Sequence, residues 1–322
     1  MTGLVLRRII SRHSYLFALL LLVVAVLVNL RLQDNLLEVN VISRNFRNFL
    51  PLIVLVVGQS VVIIGGGIDL SAGAIVTLGN AILATLITSE SSSGQILLAI
   101  LLTCGAGVLA GVVNGLCVAY LRLQPIVTTY ATSFIFTGVA LLILPRPGGD
   151  MAAAVRSLYR STPGGAPFTL WMVFTLIAIW LVVRSTRYGQ FLFATGGKSE
   201  SAYFTGIPVN FVKFSTYLWS GLFAALAALA LTVNTGTGSP RSGDLLTLNS
   251  VVAVVLGGTR LSGGQGGVIG SILGVVILGL IANIISFASV DSWAQTLVSA
   301  LIIIFALIGP GLVRLARKAV AR

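Results

Sequence analysis

Residues 65–73 read Gly65-Gly66-Gly67-Ile68-Asp69-Leu70-Ser71-Ala72-Gly73 and separate two apolar runs, 49–64 and 72–89. Each run approaches the ~20 residues with which a helix crosses a bilayer, where the backbone has only itself to pair with. Glycine costs helix stability, so three in a row between two such runs mark a place where the chain unwinds or turns. Irregular backbone at membrane depth is tolerated only where it is buried in protein or lines a water-filled cavity. Asp69 therefore has two readings. It is a functional group in a polar path, or it belongs to a cytoplasmic loop at a helix start, where Asp and Ser are good caps; the distribution of charge along the chain favours the second.

Working outward, the 322 residues are 57% hydrophobic and only 9% charged, with a mean hydropathy of +1.04. Soluble domains carry roughly 25% charged residues, so this composition excludes a water-soluble fold and predicts an all-α polytopic membrane protein. Apolar runs give ten expected spans near 15–30, 49–64, 72–89, 96–119, 126–144, 169–183, 212–232, 248–257, 268–287 and 294–312. The eighth is short and must borrow from its flanks. Placing the N-terminus inside puts thirteen Lys and Arg on that side and seven on the other, which by the positive-inside rule makes both termini cytoplasmic. The chain then reads as one transmembrane domain, 1–322, with basic cytoplasmic tails at 1–14 and 313–322. The apolar stretch after the basic start ends in Val28-Asn29-Leu30-Arg31, not in a small-residue cleavage site, and is expected to be an uncleaved first helix.

Several chemistries are excluded. One histidine, His13, and two cysteines, Cys104 and Cys117, allow no multi-histidine metal site and no disulfide framework. A Ser-His-Asp triad would have to draw its His from the basic N-terminal tail. The cysteines are expected to be small buried hydrophobes. The net charge of +12 punctuates membrane crossings and is not interleaved with aromatics, so nucleic acid is not an expected partner. No metal site and no catalytic group is expected.

Glycines cluster further. Gly107, Gly111 and Gly115 recur every fourth residue, as do Gly266, Gly270 and Gly274; that spacing shares a helix face and allows close helix packing. Residues 257–264 read Gly-Gly-Thr-Arg-Leu-Ser-Gly-Gly, and aligning Gly257 and Gly258 with Gly66 and Gly67 gives Gly-Gly-x-charged-Leu-Ser-x-Gly in both places. This is a trace of internal duplication, as many transporters show, or a chance match.

Two strings resemble nucleotide motifs and fail on context. Leu261-Ser262-Gly263-Gly264-Gln265 spells the signature of ATP-binding cassette ATPases, but a membrane span comes after it and no phosphate loop precedes it. Gly197-Lys198-Ser199 ends like a phosphate loop, but the pattern needs glycine at 192, where Leu192 stands. The chain is not expected to hydrolyse ATP. The longest inner loop, 184–211, contains Lys198-Ser199-Glu200-Ser201-Ala202-Tyr203-Phe204 between Gly197 and Gly206. Two short helical turns are expected there, with Tyr203 and Phe204 either docking in a partner's groove or lying back at the headgroups.

Four stretches in order carry a family resemblance. They are Gly66-Gly67-Ile68-Asp69-Leu70-Ser71 with Gly73; Gly111-Val112-Val113-Asn114-Gly115 with Leu123-Gln124-Pro125-Ile126-Val127-Thr128-Thr129; Tyr188-Gly189, Ala194, Gly196-Gly197, Ala202 and Gly206-Ile207; and Ala253-Val254-Val255-Leu256-Gly257-Gly258-Thr259 with Leu261, Gly263, Gly264 and Gly266. From about residue 45 to 310 the chain resembles the bacterial inner-membrane permeases of ATP-binding cassette importers for ribose, xylose, galactose and related sugars, a type II importer fold of about ten helices. The resemblance implies a second permease copy or paralogue, a cytoplasmic ATPase dimer that holds the ATP and Mg²⁺, and a periplasmic substrate-binding protein. It implies an ATPase-coupling loop at Gly196, Gly197, Glu200, Ser201, Ala202 and Gly206. The sequence departs from the family at Thr247-Leu248-Asn249, where Glu-Leu-Asp is usual, and at Ser199 and Ser201; a heterodimer with one divergent half would fit.

A neutral sugar asks for hydroxyl and amide partners. Asp69, Ser71, Asn114, Thr128, Thr129 and Asn249 are the candidates for the translocation path, and for each of the last four the reading as interhelical glue, the usual role of such groups, is favoured over substrate contact. A branched-chain amino acid would want charged partners, which the spans lack; an ion-coupled secondary transporter would need intramembrane charges.

Overall fold

The computed structural model describes residues 16–287 and, beyond them, only the helical positions Ala294, Leu297, Ala300, Leu301 and Ile304. The expected tails, His13 and most of the expected tenth span lie outside the described residues.

Within the described residues twelve α-helices succeed one another: α1 Leu16–Leu32, α2 Val39–Ile64, α3 Ala72–Leu86, α4 Ser93–Gly115, α5 Pro125–Ile143, α6 Ala153–Arg160, α7 Phe168–Ser185, α8 Arg187–Gly197, α9 Ser199–Phe204, α10 Val209–Thr235, α11 Leu246–Leu256 and α12 Val268–Phe287. Six of them, α2, α4, α5, α7, α10 and α12, are long and apolar enough to cross a membrane; α1, α3 and α11 are shorter apolar helices. The chain is a multi-pass membrane protein. Nine of the ten expected apolar segments are helices among the described residues. Their bounds differ most at α2, which starts at Val39 and so carries Arg44 and Arg47 within a helix, not in the loop expected before residue 49. Neither α6 nor α8 was expected as a helix.

Local chemistry sets the ends. Ser92 and Gln95 form a reciprocal capping box at the start of α4, which satisfies two orphan N–H donors. Pro125 opens α5, where its missing N–H costs nothing. Pro51 lies inside α2 and leaves the Arg47 carbonyl, four residues earlier, without its helical donor. The hydroxyl of Tyr159, on α6, donates to that carbonyl at 3.0 Å. Burial of Tyr159 pushes its phenol well above the usual range, so it keeps the proton it donates.

Two helices form the centre. α10 packs along α2, α4 and α3, and α2 is buried almost continuously from Leu50 to Ile64. By contrast α4, α5 and α7 present Leu97, Leu101, Phe134, Leu142, Phe174 and Val182 outward, as helices facing lipid do.

Candidate functional site

The apolar run of α2 stops at a glycine turn. Gly65 keeps a helical conformation, Gly66 takes φ +86°, and the amides of Gly66 and Gly67 donate to Ile63 and Val62 at 3.0 Å each. This is a Schellman ending, which needs a left-handed residue and so favours glycine. Beyond it the backbone is non-helical to Ser71, and here the sequence candidates meet.

Asp69 is fully buried. One carboxylate oxygen accepts the Ser71 amide at 2.8 Å and the Ser71 hydroxyl at 2.6 Å; the other accepts the Ser220 hydroxyl of α10 at 2.6 Å. The Asn114 amide donates to Ser71 Oγ at 2.7 Å, and the Asn114 oxygen accepts the Thr132 hydroxyl at 2.7 Å. Thr129 accepts the Leu70 amide at 2.9 Å and donates to Pro125 O at 2.8 Å. Helices α4, α5 and α10 are thus tied to the break. Among the described residues Asp69 is the only buried carboxylate or base, and Arg156–Asp150 the only ion pair. Three donors, not a cation, hold the carboxylate in a setting where an unsatisfied charge would be very costly.

This geometry corrects two expectations. Asp69 is not in an exposed loop. Ser71 occupies the cap position of α3, but its side chain makes no capping bond because its hydroxyl is given to Asp69. The orphan amide of Gly73 instead donates to Thr247 Oγ1 at 2.9 Å, a use for threonine where the family pattern has an acidic residue. Of the other path candidates, Thr128 bonds its own helix at Gln124 O, and Asn249 is half-buried on α11, apart from the cluster. Ser220 and Thr132 are not among the sequence candidates; the signal for Ser220 is the cluster of hydroxyls Ser215, Thr216, Tyr217 and Ser220 that opens a long apolar span. The buried polar groups without a hydrogen-bond partner among the described residues include the Tyr217 hydroxyl and both amide atoms of Gln59. The Tyr217 hydroxyl stands over Gly67, where a Cβ would come within 2.6 Å of it.

The glycine stripes lie at helix contacts. A Cβ on Gly107 or Gly111 would strike the α10 backbone at Gly221 or Tyr217, and one on Gly115 would meet Phe214. Gly270 and Gly274 likewise face the backbone of Gly257 and Ala253, and Gly266 packs on Thr259. Cys104 and Cys117 are free and half-buried, not buried as expected.

After α7, Thr186 caps α8 through the Gly189 amide at 3.3 Å. α9 comes next with Glu200 and Ser201 exposed, Ala202 turned inward and Gly206 at φ +83°. Tyr203 and Phe204 are 67% and 79% exposed, an unusual display for two adjacent aromatics at a chain reversal. The end of α8 meets both glycine breaks. Gly196 lies so close to Ile64 O that a Cβ would collide with it, and the Gly264 amide donates to that same carbonyl at 2.9 Å. Gly263 and Gly264, at φ +82° and +70°, are the glycines of the ATPase-like string. Their closest neighbours are the backbone of Gly66, Gly196 and Gly197, which accounts for the string by packing. Three glycine groups that stand far apart along the chain are brought by the fold to one point.

The family described as branched-chain amino acid transport system / permease component matches residues 41–307. The chain belongs to this permease family. Curated relatives fix its neighbourhood within it. The chain is 33% identical over 255 residues, 78% of each protein, to the ribose import permease protein of Bacillus subtilis (strain 168). It is 30% identical over 272 residues, 79% of this chain and 81% of the relative, to the galactose/methyl galactoside import permease protein of Escherichia coli (strain K12). It is 27% identical over 308 residues to the autoinducer 2 import system permease protein of Photorhabdus temperata, covering 93% and 92% of the two chains. The resemblance to sugar-importer permeases read from the four motifs is upheld, and the amino-acid alternative is not favoured.

Proposed function

We propose that this permease carries a neutral monosaccharide or related polyol inward across the bacterial inner membrane by alternating access, driven by ATP hydrolysis on a separate cytoplasmic ATPase dimer. What carries the reading is the match of nearly the whole chain to import permeases. In this arrangement ten helices cross the membrane with both termini inside, a second permease copy or paralogue completes the path, and a periplasmic binding protein delivers the solute. The chain itself holds no cofactor; ATP and Mg²⁺ belong to the ATPase. Glu200 to Gly206, with the exposed Tyr203 and Phe204, form the contact with that ATPase.

The interior supports a neutral solute. The one buried carboxylate among the described residues is already satisfied by three donors, whereas the Gln59 amide and the Tyr217 hydroxyl have donors and acceptors to offer. A polyhydroxy solute supplies both partners; a zwitterion needs buried charges, and Asp69 is the only one among the described residues.

The test is co-purification of the permease with the ATPase encoded beside it. The pair is expected to stay together, to separate when Tyr203 and Phe204 are both replaced by alanine, and to leave membrane insertion unchanged. A wild-type chain that never retains an ATPase sinks the reading. Tyr217→Phe separates path from scaffold: removing an unpaired buried hydroxyl leaves stability unchanged or raised by about 1 kcal/mol, while solute uptake falls.

A further inference from the structure

We infer that the backbone junction of Ile64, Gly196, Gly263 and Gly264 positions the unwound 65–71 segment according to the place of α9, so that it transmits the coupling movement to the buried Asp69 cluster. This rests on the reading of α9 as the ATPase contact and adds the route by which that contact reaches the path.

The route has no flexible link. α9 starts two residues after α8 ends, and the Ser199 hydroxyl donates to Thr195 O at 2.8 Å, fastening the two helices. Thr195 and Gly196 are buried, and Leu192, one turn earlier, is fully buried against Gly65. Gly196 presses on the carbonyl of Ile64, the last helical residue of α2. A helix leaves its last carbonyls without internal partners, and this one is taken by the Gly264 amide at 2.9 Å. Gly263 closes the other side, with its own Cβ position 2.9 Å from Gly66 Cα. Three segments distant in sequence therefore touch backbone to backbone. Side chains can change rotamer to absorb a displacement, but backbone in van der Waals contact with backbone passes it on, as close-packed interiors do. Five residues beyond Ile64, Asp69 hands any shift to α10 through Ser220 and to α4 through Ser71 and Asn114.

A glycine with open space around it provides the control. A Cβ on Gly105 of α4 meets nothing within 4 Å, whereas one on Gly196 collides with Ile64 O and comes within 2.7 Å of the Gly264 amide. The test uses the assembled complex of permease, ATPase and binding protein in proteoliposomes, with ATP hydrolysis and solute uptake measured together. G196A is expected to keep the ATPase bound and hydrolysing while uptake per ATP falls by about ten-fold, and G105A to stay within about two-fold of wild type. Wild-type uptake per ATP in G196A overturns the inference and leaves the proposed function standing; a wild-type complex without bound ATPase overturns the proposed function first. Should G196A not accumulate, hydrogen exchange on the wild-type complex decides, with and without a non-hydrolysable ATP analogue. Peptides covering 61–67, 194–199 and 262–266 are expected to change protection together. A change at 194–199 that leaves the other two as they were overturns the inference.

Discussion

The chain ends two of its buried helices with the same glycine turn and then uses the turns differently. At the end of α2, Gly65 and Gly66 have φ −71° and +86°; at the end of α11, Gly257 has φ −68° and Gly258 +89°. The hydrogen bonds agree as well. Gly258 and Thr259 donate to Val255 and Val254 at 2.9 and 3.1 Å, the pattern that Gly66 and Gly67 make with Ile63 and Val62. After α2 the chain enters a buried carboxylate cluster and starts α3 within eight residues of Ile64. After α11 it turns outward through the exposed Arg260 and Leu261 and reaches α12 only at Val268. The comparison teaches that helix-ending grammar and site chemistry are separable: the turn needs only glycine at two positions, and the residues after it decide whether the break is a site or a brace.

The largest expected effect sits at the carboxylate. Asp69→Ala leaves two hydroxyls and an amide without their acceptor, at about 1–3 kcal/mol for each buried orphan, and is expected to abolish accumulation of folded protein, read by detergent thermal unfolding and size exclusion. Asp69→Asn keeps one acceptor oxygen and is expected to fall between alanine and wild type. Arg260→Ala, at the sequence-aligned position of the other break, is expected to stay within about 0.5 kcal/mol, as surface changes do. Equal losses at the two positions would erase the distinction between site and brace.

The cap glycines give a finer cut. A Cβ on Gly257 would run into the α12 backbone at Gly270, whereas one on Gly65 would meet the side chains of Thr216, at 2.9 Å, and Leu192, at 3.3 Å. Backbone cannot retreat as a side chain can, so Gly257→Ala is expected to cost about 1–3 kcal/mol and Gly65→Ala less. The reverse order would show that the α11–α12 contact is the more pliable of the two.

The smallest effect concerns Thr247. Thr247→Val removes the acceptor for the Gly73 amide and is expected to cost about 1 kcal/mol with no change in membrane insertion.

Much of this was legible in the sequence. Apolar length and glycine clusters gave the spans, and the interruption at 65–73 gave the break, because hydrophobic run length and helix-breaking are local properties. The short helix between Gly197 and Gly206 came from the same punctuation. Partner choice across the fold did not. Aligning Gly66 with Gly257 set Asp69 against Arg260, but the turn geometry pairs Gly65 with Gly257 and moves the register by one residue. Burial of Asp69 was invisible because charge counting saw only its place between spans, while its donors lie on distant helices: Ser220 is 151 positions away. α6 escaped notice because eight residues with Arg156 and Arg160 read as a loop, although Tyr159 reaches into the core to repair the gap left by Pro51.

Uptake into proteoliposomes holding the permease, its genomic ATPase and its binding protein bears most directly on the central claim. A labelled neutral pentose or hexose is expected to accumulate only with ATP on the ATPase side and to continue undiminished in the presence of a proton uncoupler. Accumulation without ATP, abolished by the uncoupler, would contradict the account and make the protein an ion-driven carrier.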